Sequence, residues 1–579
     1  MAALHAGWNT SLSGDGEAPP PPTVGERRGG GWITAPFVLV TCRSSHFGAL
    51  EAASVAGMTL AAGGWMNNLI VFLIQEFNIK SINAAQIFNV ANGCSNFFPV
   101  LAAILADSFL GCFSVIWISS LISFLGLILL VLTVTLDGLS PPDCETGSST
   151  VCATPSRVQY AVLFAALALV SIGLGGTRFT LATFGANQFN KLKHQATYFN
   201  LYFFILYVAS FISATGIVYV EDNLSWGWGY GMCIAANVVG LGVFLVGSRF
   251  YYHDKPQGSP FTSMARVVVA CIRKRKAEVS SETAHYYYGD VDGVKGAATG
   301  APTKSFRILN RAALKTEGDI LPDGSTSNSK PWKLCTVQQV EDLKTLIRIL
   351  PLWSTSILLA TPIGIQASLT VLQALTTDRH LGHRLQIPAG SMIVFLLISV
   401  AVSLTLFDHF LWPMWKKVAG KSPTPLQQIG VGHVFNIAGM AVSAIVESKR
   451  RAAATSHHGR MSVMWLVPQL VIVGIGEAFH FPGQVALYYQ EFPTCLKSMA
   501  TGMVAMLVGM AFYLSSAVVG FVRRVTKWLP DDIDDGRVDN VYWVVMVIGV
   551  FNFGYYVVCS WLYKYKNFVQ IEEEEEGDH

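Results

Sequence analysis

Ile172-Gly-Leu-Gly-Gly176 and Val473-Gly-Ile-Gly-Glu477 are the two stretches on which the reading of this chain turns. Each interrupts a long apolar run, one in each half of the sequence, with closely spaced glycines. In the register the strings suggest, Gly173 and Gly175 match Gly474 and Gly476, with Gly176 adjoining the first set. Matching interruptions in two halves point to a transporter built from internal repeats, with its site between them. A dinucleotide-binding loop does not fit, because no soluble strand-to-helix turn surrounds the glycines. Small residues also let helices pack closely in a membrane, and the two roles are compatible.

Working outward, the chain has 579 residues, 52% hydrophobic and only 13% charged. Soluble domains carry roughly 25% charged residues, and single cores stop growing near about 250–300 residues. Lipid is therefore the solvent for much of this surface. A span needs about 20 mostly apolar residues. Such runs fall at 53–76, 84–106, 112–136, 158–180, 198–220 and 228–250, then at 346–374, 388–410, 426–447, 463–487, 498–522 and 541–563. The expected fold is an all-α polytopic membrane protein with twelve transmembrane helices. Its parts are a disordered tail (1–31), a six-helix bundle (32–250), a linker with flexible Gly/Ser-rich pieces (251–340), a second bundle (341–565) and an acidic tail (566–579).

The linker holds 13 Lys and Arg against 8 Asp and Glu. Basic residues near span ends stay inside, so linker and both termini are expected to be cytoplasmic, with loops 137–156 and 219–228 outside. One loop runs against that rule, since Lys449, Arg450, Arg451 and Arg460 would face outward. No secretory signal precedes the first span. A net charge of +3 gives no reason to expect a nucleic-acid partner.

A charge inside a span costs about 2.5–3.5 kcal/mol and usually marks function. Arg178, just after the first glycines, and Glu477, among the second, are the two such charges. A guanidinium facing a membrane cavity suits carboxylates and oxyanions; alternatively the two form an interior salt bridge that only holds helices. His480 follows Glu477 by one helical turn and could titrate near neutrality, or simply pack. Pro351, Pro362, Pro468 and Pro482 are expected to bend spans seven and ten, as a gate would require. Most of the ten cysteines lie in apolar runs. No Cys/His metal spacing, cofactor motif, HExxH or GxSxG occurs, so neither a metal site nor an enzyme is expected. Cys144 and Cys152 share a polar loop assigned to the outer side, where they could form a disulfide.

The run Gly173-Leu-Gly-Gly-Thr-Arg178-Phe-Thr-Leu-Ala-Thr-Phe-Gly-Ala-Asn-Gln-Phe189 resembles the plant nitrate and peptide transporter family, a proton-dependent branch of the major facilitator superfamily. Arg249-Phe-Tyr-Tyr-His-Asp-Lys-Pro-Gln-Gly-Ser-Pro-Phe-Thr262 and Cys335-Thr-Val-Gln-Gln-Val-Glu-Asp-Leu-Lys344 agree. Gly30-Gly-Trp-Ile-Thr34, Gly476-Glu-Ala-Phe-His-Phe-Pro-Gly483 and Asp531-Asp-Ile-Asp-Asp-Gly-Arg-Val-Asp-Asn-Val-Tyr-Trp543 look most like the nitrate excretion subgroup. The resemblance implies two six-helix bundles, alternating access and a central cavity. There Arg178 replaces the family's usual lysine, and Glu477 matches its tenth-helix glutamate. Where the family's first-helix motif has two glutamates followed by arginine this chain has Val55, Met58 and Thr59, and Gly364 stands near the place of a histidine in some relatives. The stretch Thr41–Ser54 is surplus to the family pattern. The expected substrate is a small inorganic anion, nitrate or chloride, moving down its gradient with little proton coupling. The expected location is the plasma membrane, with the vacuolar membrane as the alternative. Proton symport through Glu477 or His480, or an anion-binding receptor, are the competing readings.

Overall fold

The computed structural model describes residues 54–142, 153–189, 192–253, 258, 260–279, 282, 285–288, 302–316, 332–382, 385–420, 422–455, 460–492 and 500–563. Cys144, Cys152 and Thr41–Ala53 lie outside these residues. Twelve spans make up the fold. The first is bent by 45° between Ser54–Asn67 and Leu69–Gln75. Then come Ser81–Leu105, Gly111–Thr135, Arg157–Ala186, Leu201–Asn223 and Trp226–Phe250. The second half supplies Val337–Leu375, Ala389–Ala419, Pro425–Thr455, Val463–Glu491, Ala500–Val525 and Val538–Leu562. Within each half the fourth-type span is central: span four packs on spans two and three, and span ten on spans eight and nine. The halves meet along span two against span eleven and span five against span eight.

Local chemistry sets several starts. Span four opens on a capping box: Gln159 N–H donates to Ser156 Oγ at 3.3 Å, and Ser156 N–H to Gln159 Oε1 at 2.8 Å. Span seven opens on the same device at Thr336 and Gln339, nine residues before its apolar window. The helix begins there because Val337 and Val340 join a small cluster of linker residues, including Val267, Ala270 and Ala312. That cluster gives part of the linker a packed core. An amphipathic helix (Pro260–Arg273) and a short 3-10 turn (Arg307–Ala313) pack there. Lys344 is buried with them, donating to Glu341 Oε1 at 2.6 Å and the Thr303 carbonyl at 2.8 Å.

The loop that defied the charge rule is neutralised from within. Arg450 is 2% exposed and lies between Glu447, whose two oxygens accept from Nε and Nη2 at 2.8 Å each, and Asp534 of the last inter-span loop. Arg451 pairs with Asp539, and Lys449 lies over the Trp465 ring.

Candidate functional site: the central cavity

A cavity of about 370 Å³ lies between the halves. Its wall takes Val55, Met58 and Thr59 from span one, Thr177 and Arg178 from span four, and Tyr202 from span five. The second half adds Gln366 and Thr370 from span seven, Glu477 and Phe481 from span ten and Phe512 from span eleven. Arg178 and Glu477 thus share one cavity. Among the described residues no ion pair involves Glu477, so the interior salt bridge considered from the sequence is not formed. Val55, Met58 and Thr59 of span one line the wall and present no ionisable group.

The glycines do not reach this cavity. A Cβ on Gly173 would lie 2.6 Å from the Ser123 backbone nitrogen, and one on Gly176 would lie 2.0 Å from Ser119 Oγ, both on span three. One on Gly175 would meet Phe98 of span two at 2.5 Å. In the second half Gly474 abuts Ser399 of span eight at 2.8 Å, and Gly476 abuts Phe435 of span nine at 3.2 Å. Close helix packing is their role. Gly175 faces span two and Gly474 faces span eight, while Gly176 faces span three and Gly476 faces span nine.

His480 does not line the cavity. It is buried and turned toward span nine, where a Cβ on Gly432 would sit 2.5 Å from the His480 Cβ, and its ring Nε2 finds no partner. The expectation of a substrate contact therefore fails: the step of one turn from Glu477 carries it around the helix toward span nine. Gly364 packs against span eleven, where a Cβ on it would lie 2.6 Å from Ser515 Oγ. Pro362 and Pro482 lie inside spans seven and ten, whereas Pro468 stands in the first turn of its helix and bends nothing. Near Pro362, Asn436 donates to the Leu359 carbonyl at 2.7 Å and Ser515 to the Thr361 carbonyl at 2.8 Å.

On the face opposite the linker the halves are tied together. Arg379 pairs with Asp222 at 3.2 Å, Lys80 with Asp531 at 2.5 Å, and Arg523 donates to Asn83 at 2.6 Å and to Asp531 at 2.5 Å. The Lys80 hydrogen bond and charge, with Arg523 beside them, hold the Asp531 carboxyl below its usual range. This face is closed, which a cavity serving alternating access requires of one side at a time.

Twelve spans in two related halves around a central cavity, mostly apolar with Arg178 and Glu477 on its wall, define a membrane transporter of the major facilitator type. The chain belongs to the POT family, whose sequence profile matches residues 113–534. It is 52% identical to Protein NRT1/PTR FAMILY 2.7 of Arabidopsis thaliana over 566 residues, covering 96% of this chain and 97% of that protein. It is 50% identical to Protein NRT1/PTR FAMILY 2.6 of the same plant, covering 98% and 99%. Among solved structures it is similar to an auto-inhibited POT family peptide transporter, with a TM-score of 0.62, 16% identity and coverage of 88% and 96%. It is also similar to the POT family transporter PepTSo, with a TM-score of 0.61, 16% identity and coverage of 88% and 95%.

Proposed function

We propose that the chain transports small inorganic anions, nitrate foremost, by alternating access through this cavity, with Arg178 as the anion-binding group. The observation that carries the reading is Arg178 on the cavity wall, unbridged to Glu477, opposite a first span whose Val55, Met58 and Thr59 offer no carboxylate. A guanidinium on a cavity wall is a planar donor set for a planar oxyanion. Chloride would be accepted by the same charge without the paired hydrogen bonds. The linker and both termini face the cytoplasm, and the membrane is the plasma membrane. An inside-negative potential contributes about 2.3 kcal/mol per charge per 100 mV, which drives an uncoupled anion outward.

The test is nitrate and chloride flux into proteoliposomes under a set voltage. Wild type should carry nitrate with a reversal potential that tracks the nitrate gradient, and Arg178→Ala should not. Saturable nitrate binding without flux would replace transport by reception. Undiminished flux in Arg178→Ala would remove Arg178 from the site.

A further inference from the structure

Glu221 differs from the acidic residues around it. It occupies the end of span five (Val218–Asn223), is 2% exposed, and neither of its oxygens has a hydrogen-bond partner. Its neighbour Asp222 pairs with Arg379, but among the described residues no ion pair goes to Glu221. Its place is built by glycines on two other spans. A Cβ on Gly229 of span six would stand 2.2 Å from Glu221 Cγ and 3.2 Å from Cδ, and one on Gly64 of span one would stand 3.7 Å from Oε1. Any larger residue at Gly229 would occupy the space the side chain uses. Asn68, at the break in span one, is the amide that faces the carboxyl, at a geometry short of a full hydrogen bond. Phe72, Trp226 and Tyr230 pack ring against ring around this corner, with centroids 5.2 Å apart for Phe72 on each of the other two. An ionised carboxylate in such a slot has lost its water and gained no cation, which is far more costly than burying the neutral acid.

The slot lies where the halves must part. A Cβ on Gly390, at the start of span eight, would lie 2.7 Å from Asn68 Oδ1, and Asp222 holds Arg379 from the other half. Opening this face breaks both contacts and admits water to the carboxyl.

We propose that Glu221 is a proton-binding site, occupied while the face opposite the linker is closed and emptied when that face opens. Alkaline solution on this side then favours the open state, and acid favours the closed one. The titratable groups around it are Asp222, already paired with Arg379, Tyr230 and Cys233 of span six, and Glu76 at the end of span one. None of them brings a positive charge. The inference rests on the alternating-access reading above and not on the identity of the anion.

Cys233 supplies a native reporter, since it is fully buried and a Cβ on Gly64 would touch its Sγ at 2.2 Å. The full chain, with its other cysteines replaced, is reconstituted in liposomes. It is labelled from the bath with a membrane-impermeant methanethiosulfonate between about pH 5.5 and 8, with and without Glu221→Gln. A negative charge on the neighbouring Glu221 can only hinder the Cys233 thiolate, so a ratio of labelling rates that rises with pH reports opening and not thiol ionisation. That ratio should climb with pH, by up to about tenfold per pH unit, the limit for one linked proton. A flat ratio overturns the proposal. Glu221→Met, close in volume and never charged, takes the place of the glutamine variant if that one does not fold, with the same two outcomes. Labelling needs no anion, so absence of nitrate flux in wild type sinks the transport reading alone. A flat ratio in a protein that carries nitrate sinks the proton site alone.

Discussion

Replacing Arg450 by methionine tests how this fold tolerates basic residues on the face opposite the linker. The guanidinium satisfies both oxygens of the fully buried Glu447 at 2.8 Å, donates to Thr376 Oγ1 at 2.8 Å, and reaches Asp534. Without it, Glu447 keeps a single donor, the Gln373 amide at 2.7 Å. Breaking a buried pair by removing one partner costs about 3–5 kcal/mol, because a charge is left buried and uncompensated. The Asp534 arm adds at most about 1 kcal/mol, since that carboxylate is 41% exposed and well screened. Arg450→Met should therefore lose about 3–5 kcal/mol. Arg450→Met/Glu447→Met, which removes both charges, should regain at least about 2 kcal/mol of it, as apolar replacement of an ion pair is often neutral. Reversible unfolding of the purified protein in mixed micelles, titrated with a denaturing detergent and followed by tryptophan emission, gives both values. A loss below about 1 kcal/mol in the single variant, or a double variant no more stable than the single, refutes the reasoning.

At the cavity, Arg178→Ala should reduce nitrate flux by at least about tenfold, the worth of one lost charge-assisted hydrogen bond, while Arg178→Lys keeps part of it; surface expression measured alongside separates flux from folding. Gly173→Ala should destabilise by about 1–3 kcal/mol, because its methyl meets the backbone of span three. Gly242→Ala, with nothing within 4 Å of the new carbon, should not, and detergent melting curves compare them. The lowered Asp531 ionisation keeps the Lys80 and Arg523 contacts intact at every pH above the ordinary carboxylate value, about 3.9, and loses them only as pH falls through the still lower folded value. Asp531→Asn should accordingly change flux by the same factor at pH 5.5 and pH 7.5; a factor that differs between the two would place a titration on this pair.

Twelve spans were legible in the sequence because apolar runs long enough to cross a bilayer have no other stable use. The two related halves were legible from their glycines, and Arg178 and Glu477 from the expense of charge in lipid. What the string could not carry was direction around a helix. His480 and Glu477 are one turn apart, yet only Glu477 reaches the cavity, since which side of span ten faces span nine depends on Gly432 and Gly476 meeting there. Matching letters likewise do not say which neighbouring span each glycine touches: Gly175 meets span two and Gly176 span three. Arg450 read as an outward-facing basic residue until Asp534, from another part of the chain, closed on it. Glu221 read as a loop acid at the edge of an apolar window and is instead a buried carboxyl. Burial and partnership arise from contacts between distant segments. The sequence by itself therefore determined the solvent, the spans and the charges that must be explained, whereas only the packing of one span on another decided which of those charges meet, which are neutralised and which stand alone.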